Sequence, residues 1–330
     1  MSNMPPKVSL GMPVYNGERF IRETLDAILN QTFQNFELII SDNASTDRTA
    51  TICQEYVAKD PRVRYYRNSQ NLGAASNYNR VFELSTGKYF KWAACDDLLL
   101  PDYLERCVDI LDRFPTAVLC YTQEFFVDES GQPIKEHSEL LNLRSPEPHQ
   151  RFKQYFDLWK ERKFAHGNPV FGLIRTEQLI KTPLIGGYVM AEFALLVELL
   201  LLGEFYEISE YLFLFRCHTQ SSRSILEKSA WEGLASWFDP ENQNKIVMPE
   251  TNLFIQHLKS VNKAQISLYK KAYCYSQLGR WLGWKWKRLT KEIIAASYRR
   301  LVSFMEIVSK SRLVWYRQNK ALGIGHRNQY

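Results

Sequence analysis

Apolar residues along the first hundred positions follow two different periods in turn. Residues 7–13 (KVSLGMP) form a short, partly apolar stretch closed by a glycine and a proline. Residues 36–41 (FELIIS) form an apolar run bounded by polar residues, the pattern of a strand buried on both faces. Between them Phe20, Ile21, Leu25, Ile28 and Leu29 fall at helical spacing within 18–29. The alternation continues with a helix over 49–58, a strand over 62–67, a turn at Asn71-Leu72-Gly73, a helix over 74–84 and a strand over 88–94. Strand and helix in strict succession predict a mostly parallel α/β sheet of Rossmann-like βαβ units flanked by helices.

In such sheets ligands bind beyond the carboxyl ends of the strands. The predicted ends carry Pro13 to Tyr15, Asp42, Asn71 to Gly73, and Asp96 with Asp97. Polar side chains therefore gather where this architecture places a site. Further on, the pattern predicts a helix over 103–114, a strand over 117–121, a long polar loop over 128–149 and a buried helix over 191–202. After Leu226 the chain reads as helical, aromatic and basic, with no internal repeat.

The chain has 330 residues, enough for one large domain or two small ones, and with 45% hydrophobic and 24% charged residues it reads as globular. No basic stretch followed by an apolar run opens it, so no secretory signal is expected. The greasiest stretch, 188–202, contains Glu192 and Glu198 and is shorter than the ~20 residues of a spanning helix. Six scattered cysteines without a C-x-x-C pair suit reduced thiols in a cytoplasmic protein. The net charge of +6 conceals a division: 251–330 holds 16 Lys and Arg against Glu292 and Glu306, a net +14, which leaves −8 on the rest. That asymmetry points to a polyanionic or membrane-surface partner for the C-terminal part.

Neither a G-x-x-x-x-G-K-[ST] loop nor a G-x-G-x-x-G fingerprint is present, so kinase and dinucleotide-binding readings lack their signatures. What remains is a set of acids at strand ends. Asp42 can accept hydrogen bonds from a nucleotide, or act as a helix cap. Adjacent carboxylates at Asp96 and Asp97 repel one another unless a cation compensates, and Mg2+ or Mn2+ bridging a diphosphate supplies one.

Four segments together, VSLGMPVYNGERFIRETLDAILNQTF, FELIISDNASTDRT, NLGAASNYN and ACDDLLLPDYLE, resemble glycosyltransferase family 2 in order and spacing. The resemblance covers about the first 125 residues and continues more weakly to about Arg223. It implies a GT-A-like fold, with 1–125 as the donor-binding half and 126–226 as the acceptor and catalytic half of the same domain, and the residue pattern adds a helical C-terminal extension, 227–330, that is basic and aromatic. The resemblance implies roles as well. Pro13, Tyr15 and Glu18 match a first donor-binding loop, with Tyr15 beside the base, and Asp42 matches the acid that bonds the base. Asn71, Gly73 and Asn77 match the segment approaching the diphosphate, and Asp96 falls at the last, metal-binding acid of an Asp-x-Asp motif. Ala94 stands where the first acid belongs, and Asp97 is the candidate to compensate. Glu192 sits where similar proteins place the catalytic base, and His218 resembles a histidine that completes the metal site. Arg216 and Arg223 are candidates to neutralise the leaving diphosphate, and His166-Gly167-Asn168-Pro169 to shape an acceptor pocket.

The expected activity is an inverting, metal-dependent transfer from a nucleoside-diphosphate sugar, UDP favoured by the resemblance, to a glycan or lipid-linked acceptor in cell-envelope or surface polysaccharide synthesis. Tryptophans interleaved with basic residues over 280–288 fit an interfacial helix on anionic lipid, hence peripheral contact at the inner face of a membrane. The same composition also fits a solvated basic face with tryptophans in the core. Two rivals remain: a non-catalytic nucleotide-sugar-binding protein of the same fold, and a nucleic-acid-binding protein acting through its basic tail, which leaves the N-terminal motifs unexplained. A nucleotidyltransferase is more distant, because its Gly-rich, Arg-bearing opening loop is absent.

Overall fold

The computed structural model describes the backbone of residues 5–138, 140–161 and 167–321, with side chains described as far as residue 305 except at 222–223, 225–230 and 303. Its first part alternates as β1 (Val8–Val14), α1 (Ile21–Leu29), β2 (Phe36–Asp42), α2 (Thr49–Lys59), β3 (Val63–Arg67), α3 (Ala74–Glu83) and β4 (Tyr89–Trp92). There follow β5 (Leu98–Leu99), α4 (Tyr103–Arg113), β6 (Ala117–Val127), β7 (Pro133–His137), α5 (Pro148–Lys160), β8 (Leu173–Arg175) and α6 (Thr176–Leu179). The chain continues through α7 (Ala191–Leu202), β9 (Glu204–Arg216), α8 (Ser222–Phe238), α9 (Pro249–Lys263) and α10 (Leu268–Ala321).

All the strands join one sheet in the order β3-β2-β1-β4-β8-β6-β9-β5, with β7 paired to β6. The four strands β3, β2, β1 and β4 are parallel, in a register that sets Val14 opposite Asp42. Their carboxyl ends therefore share one edge. Strand β8 runs antiparallel to both β4 and β6 and turns the sheet from a parallel half into a mixed one. Every residue of β1 and β2 is buried, as expected of central strands covered by helices on both faces. Gly11 in β1 lets α3 approach: a Cβ there would lie 2.7 Å from Val81 Cγ2.

The stretch 128–149 departs from the loop expected of it. Residues Pro133–His137 return as β7 and pair with an extended β6, because Asp128 closes the turn by accepting the Ser130 and Gln132 N–H groups at 2.9 Å each. Strand β9, thirteen residues long, pairs in parallel with β6.

The core forms two clusters, one on each face of the sheet. One unites β1 and β2 with α1, α2 and α4. The other joins α3, α5 and α7 to the C-terminal helices, with Cys274, Leu278 and Trp281 of α10 in the same cluster as Phe90, Trp92 and Leu196. Trp281 is fully buried, stacked on Phe254 at 5.9 Å and against Trp159 at 6.2 Å. The C-terminal helices thus complete the core, and Trp281, part of the basic aromatic stretch, faces inward.

Candidate active site

The edge at the ends of β1 and β2 is built from two loops locked together. The Asn16 side chain accepts the Thr46 N–H at 2.8 Å, and the Gly17 N–H donates to Thr49 Oγ1 at 2.8 Å. Glu18 Oε2 accepts the Arg48 N–H at 2.9 Å, so this acid braces the loop at the start of α2. The brace leaves Tyr15 with half its surface in solvent, its ring available for stacking, while Pro13 stays buried in β1.

Asp42 is fully buried and its carboxylate is held from two sides. Oδ1 accepts the Ser45 N–H at 2.7 Å, and Oδ2 accepts the Tyr65 hydroxyl at 2.6 Å and Arg67 at 3.3 Å. A network of asparagines lies beside it. The Asn43 amide donates to Asn71 Oδ1 at 2.8 Å, which also accepts the Gly73 N–H at 2.9 Å. Asn77 donates to the Ser41 carbonyl at 2.8 Å and accepts the Ser41 hydroxyl at 2.7 Å. Asn71 and Asn77 therefore shape the turn through bonds inside the protein. Gly73 turns with φ at +82°, and a Cβ there would meet Pro240 Cδ at 2.6 Å and the Phe238 carbonyl oxygen at 2.7 Å, so the segment after α8 seats directly on this turn.

The corner after β4 is charged. Asp96 Oδ2 and His218 Nε2 lie 2.7 Å apart, with the His218 ring packed on Phe20 at 4.8 Å and its Nδ1 accepting the Gln220 N–H at 3.3 Å. Asp97 is buried instead, and its Oδ1 accepts the Arg216 N–H at 2.9 Å. Burial first, and the charge of Asp96 second, hold its carboxyl well above the usual range. Arg216 is equally committed: its buried guanidinium donates to the carbonyls of Asp96 and Glu129 at 2.8 and 2.7 Å, and to Glu23 at 2.7 Å. The expectation that Arg216 neutralises a leaving diphosphate is thus corrected, since its three nitrogens are spent on bracing the strand ends. The Arg223 side chain and His166 lie outside the described residues.

Glu192 opens α7, and among the described residues its carboxylate finds no side-chain donor. Burial pushes it up to about 7. Gly167, with φ at +70°, leaves the space it occupies, since a Cβ there would come within 2.9 Å of Glu192 Cγ. Glu198 points elsewhere, accepting the Ser260 hydroxyl of α9 at 2.6 Å, as helix geometry requires of residues six apart. Next to Gly167, Asn168 donates to the buried Glu124 at 2.7 Å. Tyr78 links the two carboxylates. Half-buried on α3, its hydroxyl is pushed up by burial and further by Asp96 and Glu192, so both acids lie within electrostatic reach of one phenol.

A sequence profile described as glycosyl transferase family 2 matches residues 9–181, more than half of the chain. The chain belongs to glycosyl transferase family 2. An uncharacterized glycosyltransferase of Methanocaldococcus jannaschii is 31% identical over 165 residues, 49% of this chain and 54% of that protein. Chondroitin synthase of Escherichia coli is 36% identical over 129 residues, 39% of this chain and 19% of the synthase. The chain thus spans about half the length of the first of these relatives and much less of the second. Among solved structures, residues 1–349 of S. aureus TarS in complex with UDP superimpose with a TM-score of 0.59 at 15% identity, over 85% of this chain and 72% of TarS 1–349. The complex of the same protein with UDP-GlcNAc gives 0.60 at 16% identity, over 85% and 73%. Likeness at this identity establishes the fold, which is that of GT-A glycosyltransferases.

The family 2 match spans the motifs from Pro13 to Asp97 and ends before Glu192 and His218. Among the described residues no group of three or more His, Cys, Asp and Glu stands together as a metal cage. Two protein donors nevertheless suit a hard divalent ion that takes its remaining ligands from substrate phosphates and water. The Asp96 carboxylate and the His218 imidazole, 2.7 Å apart, present an oxygen and a nitrogen donor side by side. Such a pair could hold Mg2+ or Mn2+ beside a bound diphosphate. Tyr78 escaped the sequence reading although it sits inside the quoted NLGAASNYN segment; position i+1 from Asn77 on a helix facing the strand ends was the available signal.

Proposed function

We propose that this family 2 protein moves a sugar from a nucleoside-diphosphate sugar to an acceptor hydroxyl with inversion. The observation that supports the reading is that Asp96, paired with His218 at 2.7 Å, and Glu192 both act electrostatically on the Tyr78 hydroxyl. In this reading the base of the nucleotide lies between Tyr15 and the Asp42 loop, whose locked hydrogen bonds keep the pocket formed before the ligand arrives. Asn71, Gly73 and Asn77 hold the turn beneath the diphosphate. Asp96 and His218 would hold the divalent ion, which supplies positive charge for the departing diphosphate. Asp97 accepts the Arg216 backbone N–H and holds the strand end beside Asp96, so it supports Asp96 from behind.

Glu192 removes the proton of the acceptor hydroxyl as that oxygen attacks the anomeric carbon and the bond to the diphosphate breaks. A carboxyl pushed up to about 7 matches this task, because near neutral pH a substantial fraction is ionised and that fraction is basic enough to accept a proton. One displacement from the face opposite the leaving group gives inversion. UDP is the favoured nucleotide, a glycan or lipid-linked glycan the favoured acceptor, and polysaccharide synthesis at the inner face of a membrane the favoured setting. Calorimetric titration with UDP, GDP and dTDP, with and without Mn2+, tests the reading. Metal-dependent binding of one nucleotide, lost in Asp96→Ala, is the expected result; no binding of any nucleotide defeats it.

A further inference from the structure

Helix α10 divides its residues between two opposite sides. The inward side is fully used: Trp281 and Ala296 are buried, Lys285 and Arg288 pair with Glu250 at 2.7 and 3.0 Å, and Glu292 accepts the Glu250 and Thr251 N–H groups at the start of α9, both at 2.9 Å. At about 100° per residue, Leu282, Trp286, Ile293, Leu301 and Phe304 fall on the opposite side from Trp281. No described residue covers that side. Trp286 is 57% exposed, Leu301 59% and Phe304 62%. Lys287 and Lys291 border the stripe on one flank and Arg300 on the other, all exposed. From residue 268 to 305 the only acid is Glu292, and it faces inward.

We infer that this face of α10 lies along an anionic phospholipid surface, its apolar stripe entering the headgroup boundary and its flanking cations meeting lipid phosphates. Three observations select this occupant. An exposed apolar stripe this long is unusual for a free surface. A second copy of the helix would set Lys and Arg against Lys and Arg with no outward acid to relieve them. A nucleic acid would use the cations but leave Ile293 and Leu301 without a partner, since neither aliphatic chain stacks on a base. No helix of the described residues is long and apolar enough to cross a membrane, so the contact is one of lying on the surface. The surface also differs from the tryptophan-rich stretch that composition singles out, because Trp281 is core and only Trp286 among its tryptophans is more exposed than buried.

The inference deepens the proposed setting at a membrane and rests on the transferase reading only for its purpose, which is to bring the site to a lipid-linked acceptor. Flotation of the full chain with vesicles tests it without turnover. Phosphatidylcholine vesicles containing phosphatidylglycerol should carry the protein, and phosphatidylcholine vesicles alone should carry several-fold less. Leu301→Glu with Phe304→Glu should lower the bound fraction at least tenfold. Ser297→Glu, which adds an acid on the stripe while removing no apolar contact, should lower it several-fold. Both variants should keep nucleotide binding, which shows that they are folded. Equal flotation with both vesicle types, or undiminished flotation of the variants, overturns the inference. So does a dimer in light scattering that the same substitutions dissolve, or binding to RNA that they abolish in the absence of flotation. Loss of nucleotide binding with flotation intact would defeat the transferase reading and leave this one standing.

Discussion

The carboxylates of Asp42 and Glu192 lie at the two ends of the proposed reaction and live in opposite surroundings. Asp42 is buried among donors: a backbone N–H, a phenol and a guanidinium converge on it. Glu192 is half-buried among apolar groups, and the described residues give it no side-chain donor. The first arrangement fixes the side chain and its loop in one position, which is what recognition of a base requires. The second leaves an ionised carboxylate poorly solvated and therefore basic, which is what proton removal requires. In the proposed reaction one carboxylate is fixed by satisfied hydrogen bonds, and the other is made basic by burial without a side-chain donor among the described residues.

Replacing Glu192 makes the sharpest test of that division. Glu192→Gln keeps size and removes the base, so kcat should fall about 10²- to 10⁴-fold while nucleotide affinity stays within about twofold. Asp42→Asn should do the reverse, weakening nucleotide binding with a smaller change in kcat. Steady-state kinetics beside calorimetry measures both. A normal rate for Glu192→Gln would move the base to another residue and dissolve the contrast.

The next largest effect concerns how the catalytic side is supported. Trp281 of α10 fills the cluster that also holds α5 and α7, so Trp281→Ala should cost about 3–5 kcal/mol and lower a single unfolding transition. Calorimetry or circular dichroism would show it. Two transitions, with the early one confined to helix signal, would mean that the C-terminal helices fold apart from the core that carries Glu192.

On the donor side the corresponding device is Gly73. Its left-handed φ and its close approach to Pro240 leave no room for a side chain. Gly73→Ala should destabilise the chain by about 1–3 kcal/mol and weaken nucleotide binding, as read by thermal melts with and without UDP. Unchanged stability would show that the turn and the segment after α8 shift apart freely.

The same contrast explains what could be read from sequence. The parallel half is written in local signals: apolar runs, capping residues and the Asn71-Leu72-Gly73 turn each act within a few positions, and β1 to β4 form where the periodicity places them. Partners far along the chain leave no such mark. Strand β7 exists because β6 is longer than its apolar stretch suggests, and β5 because β9 arrives from more than a hundred residues away. Asp97 and Arg216 look like ligand-facing charges in sequence, yet both are buried: Asp97 accepts the Arg216 backbone N–H, and the guanidinium bonds Glu23 and the carbonyls of Asp96 and Glu129. Composition likewise cannot separate Trp281, which is core, from Trp286 one helical turn and a half later, which is surface.

The smallest predicted effect is also the most direct measure of the missing donors around Glu192. Its carboxyl titrates at about 7 in the folded protein against an ordinary 4.5. Between those values the folded chain keeps a proton that the unfolded chain has released, so stability falls as pH rises from about 4.5 and levels off above about 7. The full shift corresponds to about 3 kcal/mol, and partial exposure reduces this to about 1–2 kcal/mol. The amide that replaces the carboxyl in Glu192→Gln cannot titrate. The stability of that variant relative to the unmodified chain should therefore grow by about 1–2 kcal/mol between about pH 4 and pH 8, measured by urea unfolding at each pH. A constant difference across that window would mean that Glu192 is solvated or paired in solution, and the site would then hold two stabilised carboxylates and no activated one.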